Sequence, residues 1–125
     1  MRYLLFIGFI LFSFQSQAGF HMQVDNINTQ SVRFTDLSKR SAVMNFSDIH
    51  GQTYFLRCDS YLIGKSVHFQ FLGNSMTTKM ENCHETLEQI QLQLKNGKSI
   101  DYIEMTVSYQ EGTKQDQLEI RVSYL

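Results

Sequence analysis

Apolar and polar residues alternate with period two over several short stretches of the chain. Val32 and Phe34 fall on one face of Ser31–Leu37, with Arg33 and Thr35 on the other. Ala42, Met44 and Phe46 repeat the pattern, then Tyr54, Leu56 and Cys58, then Val67, Phe69 and Phe71 opposite His68 and Gln70. The end of the chain alternates most cleanly. Ile103, Met105, Val107 and Tyr109 oppose Glu104, Thr106 and Ser108, and Leu118, Ile120, Val122 and Tyr124 oppose Glu119, Arg121 and Ser123. Successive side chains of a strand point to opposite faces, so these are half-buried strands of an antiparallel sheet. Asp48-Ile49-His50-Gly51, Gly73-Asn74-Ser75 and Glu111-Gly112-Thr113-Lys114 read as turns, and Asp59–Lys65 as a loop.

One stretch changes period. Met80, Cys83, Leu87, Ile90 and Leu94 form a stripe at helical spacing, Thr78-Lys79-Met80-Glu81 has capping-box spacing, and Gly97 suits the position just past a helix end. Ile90, Leu92 and Leu94 also alternate, and Asn96-Gly97 is a hairpin signal, so residues 86–95 fit a strand as well. The helical stripe covers more residues, and a helix over about residues 78–95 is expected. The fold class is therefore mainly β, α+β: a small antiparallel sheet, or an OB-like barrel or sandwich, of about six short strands with one helix.

The first 18 residues follow neither period. Arg2 precedes the unbroken apolar run Leu4–Phe12, and Ser16 and Ala18 are small residues at the −3 and −1 positions of a cleavage site. This is the three-part pattern of an export signal, and the run is shorter than the roughly 20 apolar residues that span a bilayer. Cleavage after Ala18 leaves Gly19–Leu125, 107 of the 125 residues, as one β-rich domain without a transmembrane segment. The expected location is the bacterial periplasm or the exterior.

Two cysteines, Cys58 and Cys83, remain. In an oxidising compartment such a pair forms a disulfide, here closing a loop 25 residues apart in sequence. Losing Arg2, one of 11 basic residues against 12 acidic ones, moves the net charge from −1 to about −2. The remaining charges are scattered. Nucleic-acid binding needs a clustered positive face, so nucleic acid is excluded as a partner.

Few constellations carry chemistry. Neighbours on a helix diverge, so Cys83-His84 does not make a thiolate–base pair. His84 and Glu88 have two-ligand metal spacing on an acidic helix face with Glu81 and Glu85, which makes at most a weak, open site. His50 or His68 could approach a cysteine in space, although His68 lies on the polar face of its strand, where a surface or hydrogen-bonded role is expected. Asp101, Glu104 and Glu119 are candidate carboxylates on exposed strand faces. Asn45-Phe46-Ser47 fits a glycosylation sequon, relevant only to a eukaryotic chain. Tyr61-Leu62-Ile63 places three apolar residues in the predicted loop as a contact patch.

A cut after Ala18 would start the chain Gly19-Phe20-His21. A free amine, two deprotonated amides and the His21 imidazole can surround Cu(II) or Ni(II) in a square plane. Three functions follow from the sequence. The first is a small exported, disulfide-stapled, non-enzymatic binding or interaction module for a protein or small ligand. The second is a metal-handling protein using Gly19, Phe20 and His21. The third is a small enzyme with a Cys/His or carboxylate site.

Overall fold

The computed structural model describes residues 19–61, 64–71 and 74–125. The expected signal segment, residues 1–18, lies outside them. The described chain forms eight strands and one helix: β1 (Phe20–Asp25), β2 (Ile27–Thr35), β3 (Ser41–Asp48), β4 (Thr53–Tyr61), β5 (Gly64–Phe71), β6 (Asn74–Lys79), α1 (Cys83–Lys95), β7 (Ile100–Gln110) and β8 (Gln115–Tyr124). The fold is mainly β with one helix, as the alternation implies.

All eight strands belong to one sheet, in the order β1-β7-β8-β6-β5-β4-β3-β2. Strands β2 to β6 form an antiparallel meander, and β1, β7 and β8 a second antiparallel set. The two sets meet at a single parallel pairing, Lys79 with Gln117. Strands β1 and β2 are separated only by Asn26, yet they stand at opposite ends of the strand order. The sheet must therefore curl until its two edges come close. Asn26 turns this corner at φ +56°, a left-handed conformation that asparagine tolerates, and its carbonyl accepts the Ile49 amide at 2.8 Å. Across the gap Thr29 Oγ1 accepts the Ile100 amide at 2.9 Å. Among the described residues no strand ladder joins β1 to β2, so the sheet is open and the OB-like barrel is not closed.

The core fills the inner face of this curl. Ala42, Met44, Leu56, Cys58, Val67, Phe69, Ile103 and Met105 are each at most 3 % exposed, and α1 adds Cys83, Leu87 and Ile90. These are the inward positions of the alternating strands and of the helical stripe. Tyr109 departs from the pattern: it is 54 % exposed, because β7 runs past the end of the core.

Three expectations are corrected. The strands number eight rather than about six, because β1 and β6 were not anticipated. In β6 only Met76 is apolar among Asn74–Lys79, and backbone pairing with β5 makes the strand despite its polar side chains. The helix begins at Cys83, not Thr78. Thr78 and Lys79 pair with Val67 and Ser66, and these ladder bonds displace the predicted capping box. Asp59–Lys65 is not a long loop. Tyr61 pairs with Gly64, so the ladder of β4 and β5 extends through most of that segment. Asp59 is buried in the strand because Ser41 Oγ and Arg57 Nε both donate to its carboxylate, at 3.0 and 3.1 Å.

The other end of α1 is as expected. Gly97 has φ +89°, its amide donates to the Leu94 carbonyl at 3.0 Å, and Lys98 N donates to Gln93 O at 3.1 Å. These two bonds make a Schellman cap, which needs a left-handed residue at that position.

Asp48 organises the β3–β4 hairpin. Its Oδ1 accepts the His50 and Gln52 amides at 2.9 and 3.0 Å, and its Oδ2 accepts the Tyr54 hydroxyl at 2.9 Å. Burial pushes the Asp48 carboxyl up, but the Tyr54 hydroxyl and the two amides outweigh it and hold it below its ordinary value. Burial and the Asp48 carboxylate push the Tyr54 hydroxyl up to about 12. A depressed carboxyl contributes stability above its unfolded value, lost as the pH falls through the folded one. A raised phenol contributes stability below its unfolded value, lost as the pH rises through the folded one. Acid unfolding should therefore steepen below about pH 4 and flatten in Asp48→Asn. Ultraviolet titration should show one tyrosine ionising near 12. The Asp48→Asn variant should return it towards its ordinary value of about 10.

Candidate functional site

The sequence-predicted candidates lie in separate places. Cys58 of β4 and Cys83 at the start of α1 form a disulfide with a Cα–Cα distance of 5.7 Å, and both are buried. No free cysteine remains. The His84 ring turns to the 36–40 loop, where Nε2 donates to Lys39 O at 2.7 Å. His68 Nδ1 and Thr77 Oγ1 share a hydrogen bond of 2.8 Å on the outer face. His50 is exposed in the Asp48 hairpin. Among the described residues no three His, Cys, Asp or Glu side chains gather as metal ligands, so the His84 and Glu88 spacing is not completed into a site. Tyr61 ends β4, and Leu62-Ile63 of the expected contact patch lie outside the described residues.

Of the three candidate carboxylates, Asp101 and Glu119 are exposed, and Glu104 is engaged. His21 Nε2 donates to Glu104 Oε2 at 2.8 Å, and Arg121 Nε lies 3.7 Å from Oε1. The pairing follows from register, because Glu104 sits opposite Arg121 on β8 and beside His21 on β1. The His21 hydrogen bond holds the Glu104 carboxyl below its ordinary value, against burial and with help from the Arg121 charge.

Gly19, Phe20 and His21 lie at the start of β1, an edge strand held by β7 alone. Phe20 turns inward and meets the Phe69 ring at a centroid distance of 6.1 Å. Gly19 has φ +76°, and a Cβ there would run into the Val107 carbonyl oxygen. Consecutive amides of a strand point to opposite sides, so the Phe20 and His21 nitrogens cannot face one metal while β1 stays paired.

A different feature was not anticipated. Strand β8 pairs with β7 along one edge, but along the other it meets β6 only at Gln117. Beyond Gln117 no strand among the described residues covers that edge. Helix α1 lies beside it, leaving a groove of about 670 Å³. Ile120, Val122 and Tyr124 line one wall, and Thr86, Gln89 and Leu92 the other. Leu92 is 50 % exposed, and the three β8 side chains are only half-buried. Glu85 and Glu88 stand on the helical side, with Glu81 exposed one turn before them. Alternate residues of β8 present their N–H and C=O groups away from β7, towards the groove. The site therefore joins free backbone hydrogen-bonding groups to an apolar wall and an acidic rim. Sequence alternation assigned Ile120, Val122 and Tyr124 to the core; the available signal was Leu92, the apolar helix residue off the stripe. Comparison with known protein families, curated proteins and solved structures gives no match.

Proposed function

We propose that the protein is a small exported, non-enzymatic interaction module that adds an extended segment of a partner to the outer edge of β8. The observation that supports this most is the half-covered β8 edge against α1, since an unpaired strand edge beside a helix accepts a further strand through main-chain bonds. The acidic rim of Glu85 and Glu88 favours a segment in which apolar residues alternate with Lys or Arg. Export rests on the signal pattern of residues 1–18, and the Cys58–Cys83 disulfide suits an oxidising compartment. No helix among the described residues is long and apolar enough to cross a membrane. The same disulfide removes the thiol form of an enzyme.

The test is an NMR titration of the chain from Gly19 with a peptide of alternating valine and lysine, 10 residues long, the length of β8 itself. Amide shifts should concentrate in Ile120–Tyr124 and in α1. Affinity should fall several-fold between about 0.05 and 0.5 M salt, as an exposed ion-pair contribution is screened. The Glu85→Lys/Glu88→Lys variant should prefer a valine–glutamate peptide. Equal binding of the two peptides by the parent protein, or shifts away from β8, would refute this reading.

A second reading is favoured by the position of Gly19–His21 at the open end of an edge strand. Cu(II) or Ni(II) would bind there by peeling the first residues of β1 from β7. Intact mass under non-reducing conditions should give Gly19–Leu125 less two hydrogens. That protein should then develop the visible band of square-planar Cu(II), lose amide protection at Val107, the residue of β7 opposite Phe20, on titration, and do neither in His21→Ala. Unchanged copper affinity in His21→Ala would end the metal-handling reading.

A further inference from the structure

We propose that a second site, on the outer face of β3, β4 and β5 beside a bulge in β2, binds a neutral sugar ring. It is independent of the groove along β8. Between Asn28 and Arg33 the register of β2 against β3 shifts. Asn28 lies opposite Ser47 and Arg33 opposite Asn45, so four residues of β2 answer to one of β3. The bulge is tied down. Arg33 Nη1 donates to the carbonyls of Gln30 and Val32 at 2.7 and 2.9 Å, and Ser31 Oγ donates to Asn28 O at 2.6 Å and accepts the Ser47 amide at 2.8 Å. The Arg33 charge is thus spent on the bulge, and Ser31 becomes a fixed wall of a cavity of about 460 Å³. Bulges of this kind re-aim side chains beside sites, and the volume is within the range of small-molecule pockets.

Among the described residues no charged one lines this cavity. Its outward side chains are Asn45, Ser47, Thr53, Phe55 and Gln70, with Ser31 at the wall. Asn45, Phe55 and Gln70 are cross-strand partners in one row, so an aromatic ring sits between two carboxamides. Neighbouring strands are about 4.8 Å apart, which puts the two amides roughly 10 Å from each other. Among the described residues neither carboxamide has a hydrogen-bond partner in the protein, whereas Phe55 is braced by the His68 ring, 6.2 Å away and inclined at 69°. His68 is itself fixed by Thr77.

A pyranose has the complementary chemistry. Its C–H face is apolar and covers an aromatic ring, and its rim of hydroxyls both donates and accepts. Carboxamides and hydroxyls also do both. A phosphate or carboxylate would find no cation in the lining, and an aliphatic ligand would leave two amides unsatisfied.

The test is a heteronuclear NMR titration of the whole Gly19–Leu125 protein with maltose, cellobiose and N,N′-diacetylchitobiose. Uridine serves as a control for base stacking. At least one disaccharide should shift the amides of Asn45, Phe55 and Gln70 without moving those of Ile120–Tyr124, with millimolar affinity. Phe55→Ala should weaken binding about tenfold or more. Phe55→Leu, which keeps the apolar bulk, should show the same loss with an unchanged thermal transition. Asn45→Ala and Gln70→Ala should each weaken it several-fold. No shift at roughly 50 mM of any disaccharide, where a millimolar site would be nearly saturated, would overturn the proposal. So would undiminished affinity in Phe55→Leu, or uridine binding as tightly as the best sugar.

Discussion

Replacing Cys58 and Cys83 together by alanine should lower the unfolding free energy by about 3 to 4 kcal/mol. That is the loop-closure term for a bridge spanning 25 residues. For a domain of this size the melting temperature should fall by roughly 15 to 25 °C, measured by calorimetry at fixed pH. The loss is a large share of the total stability of a small domain. Its structural consequence should be local before it is global. Cys83 is the first residue of α1, and Asn82 before it makes no side-chain cap, so the bridge to β4 fixes an end that the helix does not cap for itself. Hydrogen exchange should therefore speed up first in residues 83–90. The Schellman-capped end at Gly97 should hold longer. Because α1 is one wall of the groove beside β8, the alanine pair should also weaken the valine–lysine peptide. A variant that lost less than about 1 kcal/mol would show that core packing alone sets the position of α1.

The sequence was readable where one face of an element is buried and the other wet. Ala42-Met44-Phe46, Tyr54-Leu56-Cys58 and Val67-Phe69 lie inward as their alternation requires, since a one-residue slip would expose every one of them. Leu87 and Ile90 with Cys83 make the helical reading of residues 86–95 correct, and Gly97 marks its end. Elements held by backbone pairing were not readable. β6 carries a single apolar side chain, and the Asp59–Lys65 segment begins with Asp59-Ser60 and holds Gly64, the marks of a loop, although the buried Asp59 has partners in Ser41 and Arg57. The candidate sites were hidden for a related reason. The β8 groove consists of residues that alternate like core but are only half covered, a property of where α1 lies. Phe55 is an aromatic residue on the polar face of β4, out of phase with Tyr54 and Leu56, and that phase was the sign available.

Phe69→Ala should cost about 3 to 5 kcal/mol, the range for deleting a fully buried aromatic ring. Phe69 is 1 % exposed on β5, within the five-strand meander, and its ring meets Phe20 of β1, within the three-strand set. Among the described residues the ladder between those two sets is the single Lys79–Gln117 pairing, supplemented by side-chain bonds from Thr29 to the Ile100 amide and from Thr78 to the Asp116 carbonyl, so few hydrogen bonds hold their junction. Side-chain packing across the interior must hold them together, and Phe69 is a residue on one set that reaches the other. The variant should therefore lose more than overall stability. Amides of β1, near Phe20–Val24, should exchange faster than those of β3 and β4, which keep ladders on both sides. Phe69→Leu retains most of the volume and should cost less than about 1.5 kcal/mol. Chemical denaturation with hydrogen exchange on the two variants separates the alternatives. Uniform loss of protection in Phe69→Ala would mean that the two strand sets unfold as one unit. Selective loss in β1 would mean that the curl is closed by its core rather than by its sheet. In that case the edge strand carrying Gly19–His21 is the part of the fold that opens most readily, which is what metal capture at its first residues would require.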